Sequence, residues 1–466
     1  MTIKIYNTRK KKKEEFVPVK DGQVSMYVCG PTVYDLGHLG HGRSAVAFDI
    51  IRKYFEYKNY KVKFVSNYTD IDDKMINRAK EEGISVQDLA DRIIPEYEKD
   101  YGALGIKKPD VQPKATEHIK EIIEIIKKLE TDGFTYVLED GVYYDVSKFG
   151  DYGKLSGQNL EDLKMGARVE VNEAKRHPYD FVLWKFKKEG EPFWASPWGE
   201  GRPGWHIECS AMTWKHLGEK FDIHGGGLDL TFPHHECEVA QSKGAFGKDA
   251  FAKYWMHNGF IQVDNEKMSK SLGNFFTLRD IFKKYDPQVV RFMFLQTHYR
   301  NPINFSDKLL EQSKAGLERL HDFIKKLRTG YEKLPKDGSL DRNLKNSFDE
   351  FMDNDFDTAG ALSVVFDLVK LVNTLRVENN LTQKDVDEAE KFLKETDQVL
   401  GIIYTSKEES INSNVEDLIS KREEARKAKD FKKSDEIRDH LKTQGIELED
   451  TPHGTIWKKV GFFMYF

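Results

Sequence analysis

The stretch Val24–Phe55, VSMYVCGPTVYDLGHLGHGRSAVAFDIIRKYF, constrains this chain more than any other. A β-prone run, Val24–Cys29, is broken by Gly30 and Pro31. A loop with His38, Gly40 and His41 follows, and a helix pattern opens near Arg43, carried by Val46, Ile50, Ile51, Tyr54 and Phe55. The next strand-like run, Lys61–Ser66, completes a βαβ unit, which is almost always right-handed. The predicted fold class is therefore α/β, with a doubly wound parallel sheet. A strand, a glycine-bearing loop and a helix N-terminus also make an anion site, because N–H groups and the helix dipole both point into the loop.

Further along, Asp72–Glu82 reads as a helix, with Thr69 and Asp70 as capping candidates and Gly83 as its stop. Pro109 and Pro113 mark a boundary. Lys114–Leu129 is amphipathic, with Ile119, Ile122, Ile123 and Ile126 on one face. Short strands are expected at Gly133–Val137, Gly141–Val146 and Ala167–Val171. Strand–helix alternation resumes only after about residue 200, so 115–200 reads as an insertion, with Trp184, Trp194 and Trp198 as a small aromatic core. From Pro302 the pattern turns helical: Asp307–Arg328, Leu340–Asn354, Thr358–Glu378 and Lys384–Thr405 are the expected helices of a bundle. Ser406–Asn414 reads as a linker, Asn414–Thr443 as one more helix, and Ile446–Phe466 as strand-like.

Charge narrows the partners. Lys+Arg is 73 against Asp+Glu 78, so any nucleic-acid footprint must be local. Lys421–Lys442 supplies one, with nine basic and six acidic residues. Arg9–Lys13 reads as a solvated turn. Three widely spaced cysteines argue against a disulfide scaffold and for a reducing compartment, so a cytoplasmic location is expected. MTIKIYNTRKKKKEEF lacks the apolar core of a secretory signal. No apolar run approaches the roughly 18 residues of a membrane span. No broad apolar surface helix demands a partner, so a monomer is expected.

Two chemistries can be read from the residues. The chain has no CxxC, but Cys29, Cys209 and the run HHECE at 234–238 offer dispersed metal donors. If that run is helical, His234 and Glu238 share a face and His235 lies elsewhere. Cys29, Cys209, His234 and Glu238 then make an S2NO set suited to zinc, although buried thiols are also ordinary core residues. Cys237 reads as a packing residue. On the phosphate side, His38 and His41 flank Gly40 where a helix begins. Lys267 and Lys270 sit in a polar stretch, KMSKSLGN, that reads as a mobile loop able to close over phosphates. Gly225–Gly227 lets backbone approach a ligand.

In this order the two phosphate motifs resemble the HIGH and KMSKS signatures of the class I aminoacyl-tRNA synthetases: HLGH at 38–41 and KMSKS at 267–271. Leu39 stands where the family usually has Ile. The strings YVCGPTVYD, NYTDIDDK, GRPGWHIECSAM, DLTFPHHE and VDNEKMSKSLGNF resemble the cysteinyl-tRNA synthetases, and the likeness covers nearly the whole chain. It implies a Rossmann-like catalytic domain over 1–114 and 201–250. A connective domain would be inserted at 115–200, and a KMSKS-bearing stem-contact region would span 251–305. A helical bundle over 306–405 and a small C-terminal α+β anticodon-binding domain over 406–466 would complete the chain.

The resemblance places Cys29, Cys209, His234 and Glu238 at zinc-binding positions. Thr69, Trp205 and His224, with Cys29, fall around the amino-acid substrate. Asp229 falls at the adenosine ribose and Gly40 beneath the adenine. His38, His41, Lys267 and Lys270 fall at ATP-activating positions. Arg426, Phe431, Asp435 and Asp450 are similar to anticodon-reading positions; Phe431 stands where the family often has Trp. The implied substrates are L-cysteine, ATP with Mg2+, and tRNA(Cys). Two other activities would use a similar active site: a cysteine-adenylating ligase with a small-amine acceptor, and an inactive tRNA- or zinc-binding paralogue. The basic, aromatic C-terminal stretch argues against the first, and two intact phosphate-handling motifs argue against the second.

Overall fold

Gln23–Val28 lies inside a four-stranded parallel sheet, ordered Phe251–Asn258, Lys220–Gly227, Gln23–Val28, Lys61–Ser66. Met26 pairs with Phe64 on one side and Ile223 on the other. Val24, Met26, Tyr27 and Val28 are all buried, as a strand covered on both faces requires. The chain leaves this strand toward Lys61–Ser66, while Lys220–Gly227 lies on its other side. The carboxyl ends of the two central strands lie here: Cys29, just past Val28, still donates its N–H to Gly225 O, and Lys220–Gly227 ends two residues later. In open α/β sheets a crevice opens at such a switch point. The computed structural model describes residues 2–158, 174–268, 275–328, 343–403, 406–428, 430–451 and 454–459. It holds two units, Met1–Glu311 with Asp349–Ala361, and Gln312–Phe348 with Leu362–Phe466.

The helix after the first strand spans Leu39–Tyr57, four residues longer at its start than the periodicity predicts. The reason is its cap. His38 takes an extended conformation and its ring nitrogen accepts the N–H groups of Gly40 and His41. The helix lies against Gly225, where a Cβ would come within 2.3 Å of the Phe48 ring. Asp49, on the same helix, pairs with Arg291 at 2.8 Å, and both are buried. The following helix, Asp73–Glu82, is capped by Asp72, not by Thr69 or Asp70. Asp70 instead accepts two hydrogen bonds from Thr116, and Thr69 donates to Glu208. Gly83 ends that helix in the left-handed conformation.

A second, antiparallel sheet runs Thr135–Leu138, Gly141–Tyr144, Phe181–Phe186, Gly201–Pro203. Its last two strands have no counterpart in the sequence reading, and Ala167–Val171 lies outside the described residues. A 3-10 turn, Ala115–His118, leads into the helix Ile119–Thr131, which covers this sheet with Ile122, Ile125, Ile126 and Leu129. Ile119 and Ile123 sit at the margin of that face. Trp184 is fully buried in the same core, and Trp194 and Trp198 pack against it.

The later helices are Asp307–Arg328, Leu344–Asp353, Thr358–Val377 and Gln383–Leu400. The last stops five residues short of the predicted end because Gly401 caps it in the left-handed region. Thr358–Val377 is long and apolar enough to pass as a membrane span, against the sequence expectation. Its Ala361, Val365, Leu368 and Val372 are buried within the protein, as in a core helix. Ser406–Asn414 is not a linker: the helix Ser406–Lys427 runs through it. Its polar residues include no glycine or proline to break a helix. A second helix, Phe431–Thr443, follows a break at Asp430, whose side chain caps it. Ile446–Thr451 and Gly454–Lys459 form a hairpin. Val415, Leu441 and Ile446 share a small core.

Burial alone would push the Asp49 carboxyl up, but the Arg291 guanidinium and Lys53 hold it below its ordinary value. A lowered carboxyl contributes stability above about pH 4 and loses it as pH falls through the folded value. Asp49→Asn leaves Arg291 buried without a counter-charge. It should lower stability by about 3–5 kcal/mol at neutral pH, read by denaturant unfolding, with the difference shrinking in acid.

Candidate active site and metal centre

Cys29 ends the Gln23–Val28 strand; Cys209 sits on the helix Trp205–Leu217. His234 closes the short turn Thr231–His235, and Glu238 opens the helix Glu236–Phe246. Their donor atoms converge. Cys29 Sγ is 3.7 Å from Cys209 Sγ and 3.5 Å from Glu238 Oε1, and His234 Nε2 is 3.0 Å from the same oxygen. Ligands about 2.0–2.3 Å from a tetrahedral metal would stand roughly 3.3–3.8 Å apart. Among the described residues a second set of four overlaps the first: Cys29, His224, His235 and Glu238. His235 therefore does not lie elsewhere, as a straight helix over 234–238 would have it. The chain turns at Phe232–His235 before the helix proper begins, and His235 Nε2 comes within 3.3 Å of Cys29 Sγ.

Electrostatics favour a cation here. Burial, then Cys209 and Glu238, pushes the Cys29 thiol up. Burial pushes the Glu238 carboxyl up as well, and the His234 imidazole down. Buried donors that resist ionisation alone are the groups a divalent ion can deprotonate and hold. The site can hold a metal ion.

The phosphate side is built on the same strand–loop–helix. The His38 and His41 rings stack, centroids 3.6 Å apart. His38 Nδ1 accepts from two backbone N–H groups. His41 Nδ1 lies 3.3 Å from the His38 N–H and 3.2 Å from the Tyr97 hydroxyl, and accepts from both. With both Nδ1 atoms accepting, the proton sits on Nε2 in each neutral ring. Two N–H donors then stand at a helix N-terminus beside Gly40. There a Cβ would press on the His38 ring at 2.9 Å. A cavity of about 360 Å³ is lined by His38, Gly40, His41, Cys29, Cys209 and His234, among others. Cys29, Cys209 and His234 thus face the same space as the two imidazoles.

Comparison with known proteins follows this geometry. A family model described as the class I (C) tRNA synthetase catalytic domain matches residues 15–315, and a DALR domain model matches 347–404. A relative named cysteine–tRNA ligase from Clostridioides difficile is 52% identical over 98% of this chain and 100% of its own length. One of the same name from Carboxydothermus hydrogenoformans is 54% identical over the same shares. The chain belongs to the cysteinyl-tRNA synthetase family. Methionyl-tRNA synthetase from Mycobacterium tuberculosis, in complex with methionyl-adenylate, shares the fold. The TM-score is 0.59 at 15% identity, over 81% of this chain and 89% of that one. The DALR match falls on the helices read as the bundle, not on 406–466.

Of the other residues singled out by sequence, Trp205 and Asp229 line the cavity. Trp205 stacks on His234, centroids 4.2 Å apart. Thr69 and His224 are buried and do not line it; His224 Nε2 is 3.4 Å from Cys29 Sγ. Lys267 pairs by backbone with Gln262, but its side chain and the whole of Lys270 lie outside the described residues. Arg426, Phe431 and Asp435 are exposed on their helices. Asp450 lies in the terminal hairpin, its side chain outside the described residues. Sequence reading misses Tyr97, whose helical periodicity marks it only as core, and the partner His257, which donates to or accepts from His235 at 2.8 Å.

His38 both caps the helix and turns an Nε2–H toward the cavity, and two substitutions separate the two. His38→Ala should cost about 1 kcal/mol in thermal unfolding. His38→Ser, a good cap without an N–H donor, should restore most of that stability but not pyrophosphate exchange.

Proposed function

We propose that this cavity activates L-cysteine with ATP and passes it to the 3′-terminal ribose of tRNA(Cys), with zinc as the metal. One observation carries the reading: two thiols and an imidazole, which converge with a buried carboxylate, line the cavity that two Nε2–H imidazoles also line. Membership of the cysteinyl-tRNA synthetase family supports the same activity. In the first step cysteine and ATP give cysteinyl-adenylate and pyrophosphate. In the second the acyl group moves to the tRNA.

Cys29, Cys209, His234 and Glu238 are the better of the two donor sets, since Cys29, Cys209 and His234 line the cavity and His224 and His235 do not. Zinc held there would take the substrate sulfur as thiolate, a form that serine's hydroxyl reaches far less readily. His224 and His235 then stand behind Cys29 and orient its sulfur. Trp205 covers His234 and closes one wall beside the substrate, with Thr69 behind it. His38 and His41 donate to phosphate oxygens, and Lys267 and Lys270 close over the leaving pyrophosphate with its Mg2+. Gly40 leaves room for the adenine and Asp229 binds the ribose. Adjacent binding of carboxylate and α-phosphate supplies the orientation that the first step needs.

Arg426, Phe431, Asp435 and Asp450 are assigned to the anticodon, with Phe431, 64% exposed, free to stack on an unpaired base. Lysines and arginines of 421–442 contact backbone phosphates, which makes charging salt-dependent. The enzyme is read as a monomer working in the cytoplasm.

Pyrophosphate exchange should depend on cysteine and not on serine. Cys209→Ser should lose zinc content and cysteine binding together; unchanged cysteine activation by a zinc-free Cys209→Ser protein would overturn the metal's role. His234→Asn should also empty the site, while His235→Asn should keep most of the metal, both read by elemental analysis. A chain ending at residue 405 should retain exchange and lose tRNA charging; parallel loss of both would count against a separable anticodon domain.

A further inference from the structure

The two sulfurs of the metal centre are closer to each other than to any other cysteine among the described residues, and they differ in access. Cys29 is half-buried and lines the cavity at the open end of its strand. Cys209 is 2% exposed, within a helix, with its Sγ 3.7 Å from Cys29 Sγ. A disulfide needs about 2.05 Å between sulfurs, so closure requires a shift of under 2 Å. The Cys29 backbone is held, its N–H donating to Gly225 O and the Gly30 N–H to Asn67 Oδ1, so closure is a swing of the Cys29 side chain toward Cys209, which its helix holds. The third thiol, Cys237, is 1% exposed, packs among Tyr144, Tyr152 and Trp184, and lies against the Tyr152 hydroxyl at 3.4 Å.

We infer that Cys29 and Cys209 are a redox pair that hydroperoxides convert to an intramolecular disulfide, releasing the metal and switching off cysteine activation reversibly. This rests on the reading of the cluster as a metal site. The step balances. The Cys29 thiolate attacks one oxygen of hydrogen peroxide; the O–O bond breaks, a sulfenic acid forms, and the departing hydroxide takes a proton to become water. The Cys209 thiolate then attacks the Cys29 sulfur; the S–S bond forms, the S–O bond breaks, and a second hydroxide leaves as water. Two thiols lose two electrons and two protons, and one peroxide becomes two waters. Oxidation takes both sulfurs, two of the four donors, from the set Cys29, Cys209, His234 and Glu238, and takes Cys29 from the overlapping set as well. Proximity of a resolving thiol also protects Cys29 from further oxidation to sulfinic acid, the irreversible branch. The cavity that admits the substrate thiol is the route by which peroxide reaches Cys29.

The test uses the full-length, metal-loaded protein and hydrogen peroxide. Metal content before treatment decides the metal reading on its own. After treatment, alkylation in denaturant should label only Cys237, and peptide mapping should find a Cys29–Cys209 link. A chromogenic chelator should register one metal ion released per disulfide, and dithiothreitol with added zinc should restore exchange activity. Cys237→Ala should behave identically. Sulfinic acid at Cys29 without a link, a disulfide that includes Cys237, or inactivation with the metal retained would each overturn the inference.

Discussion

Four donors from well-separated stretches share one small buried volume, and much of the structure exists to bring them there. Cys29 arrives on a sheet strand, Cys209 on a covering helix, and His234 with Glu238 on either side of a turn. Three of them are uncomfortable when charged and dry: burial raises the Cys29 thiol and the Glu238 carboxyl and lowers the His234 imidazole. A bound cation inverts that preference. A metal held there would also be a joint in the fold, and its occupancy would add stability to whatever conformation assembles the donors.

The parallel sheet sets where that joint can be. Its two central strands end at Val28 and Gly227, with Cys29 just past the first. Gly225 is part of how this works: with no side chain on that strand, Phe48 of the His38 helix sits directly over it. The helix N-terminus is thereby held close to the strand end that bears Cys29.

Much of this is legible in the sequence, because it is encoded locally. Lys61–Ser66 alternates and stops as a strand should, and the observed strand has the same limits. HLGH and KMSKS are short signatures whose residues act together. The misreadings have physical causes. The helix begins at Leu39, not near Arg43, since histidine is not among the usual caps, yet its ring nitrogen does the work of one. A polar run at 406–414 is helical since polarity sets where a segment sits relative to water, whereas helix propensity sets its backbone. Contacts across distant sequence leave no local trace: Tyr97 reaches His41 over 56 positions, and His235 reaches Cys29 over 206.

The most economical feature is the double use of His38. A serine or aspartate could cap the helix as well, but neither would place an N–H donor on the far side of the bond. An imidazole has two nitrogens on opposite edges. When Nδ1 accepts from the helix, Nε2 must carry the proton and becomes a donor without any change of charge. Stacking on His41, whose own Nδ1 is taken by the His38 N–H and the Tyr97 hydroxyl, fixes both rings. The two Nε2–H donors are thus oriented by the bonds that start the helix. Any ligand that draws the rings out of place must fray the helix to do so, and a folded helix presents them already aimed.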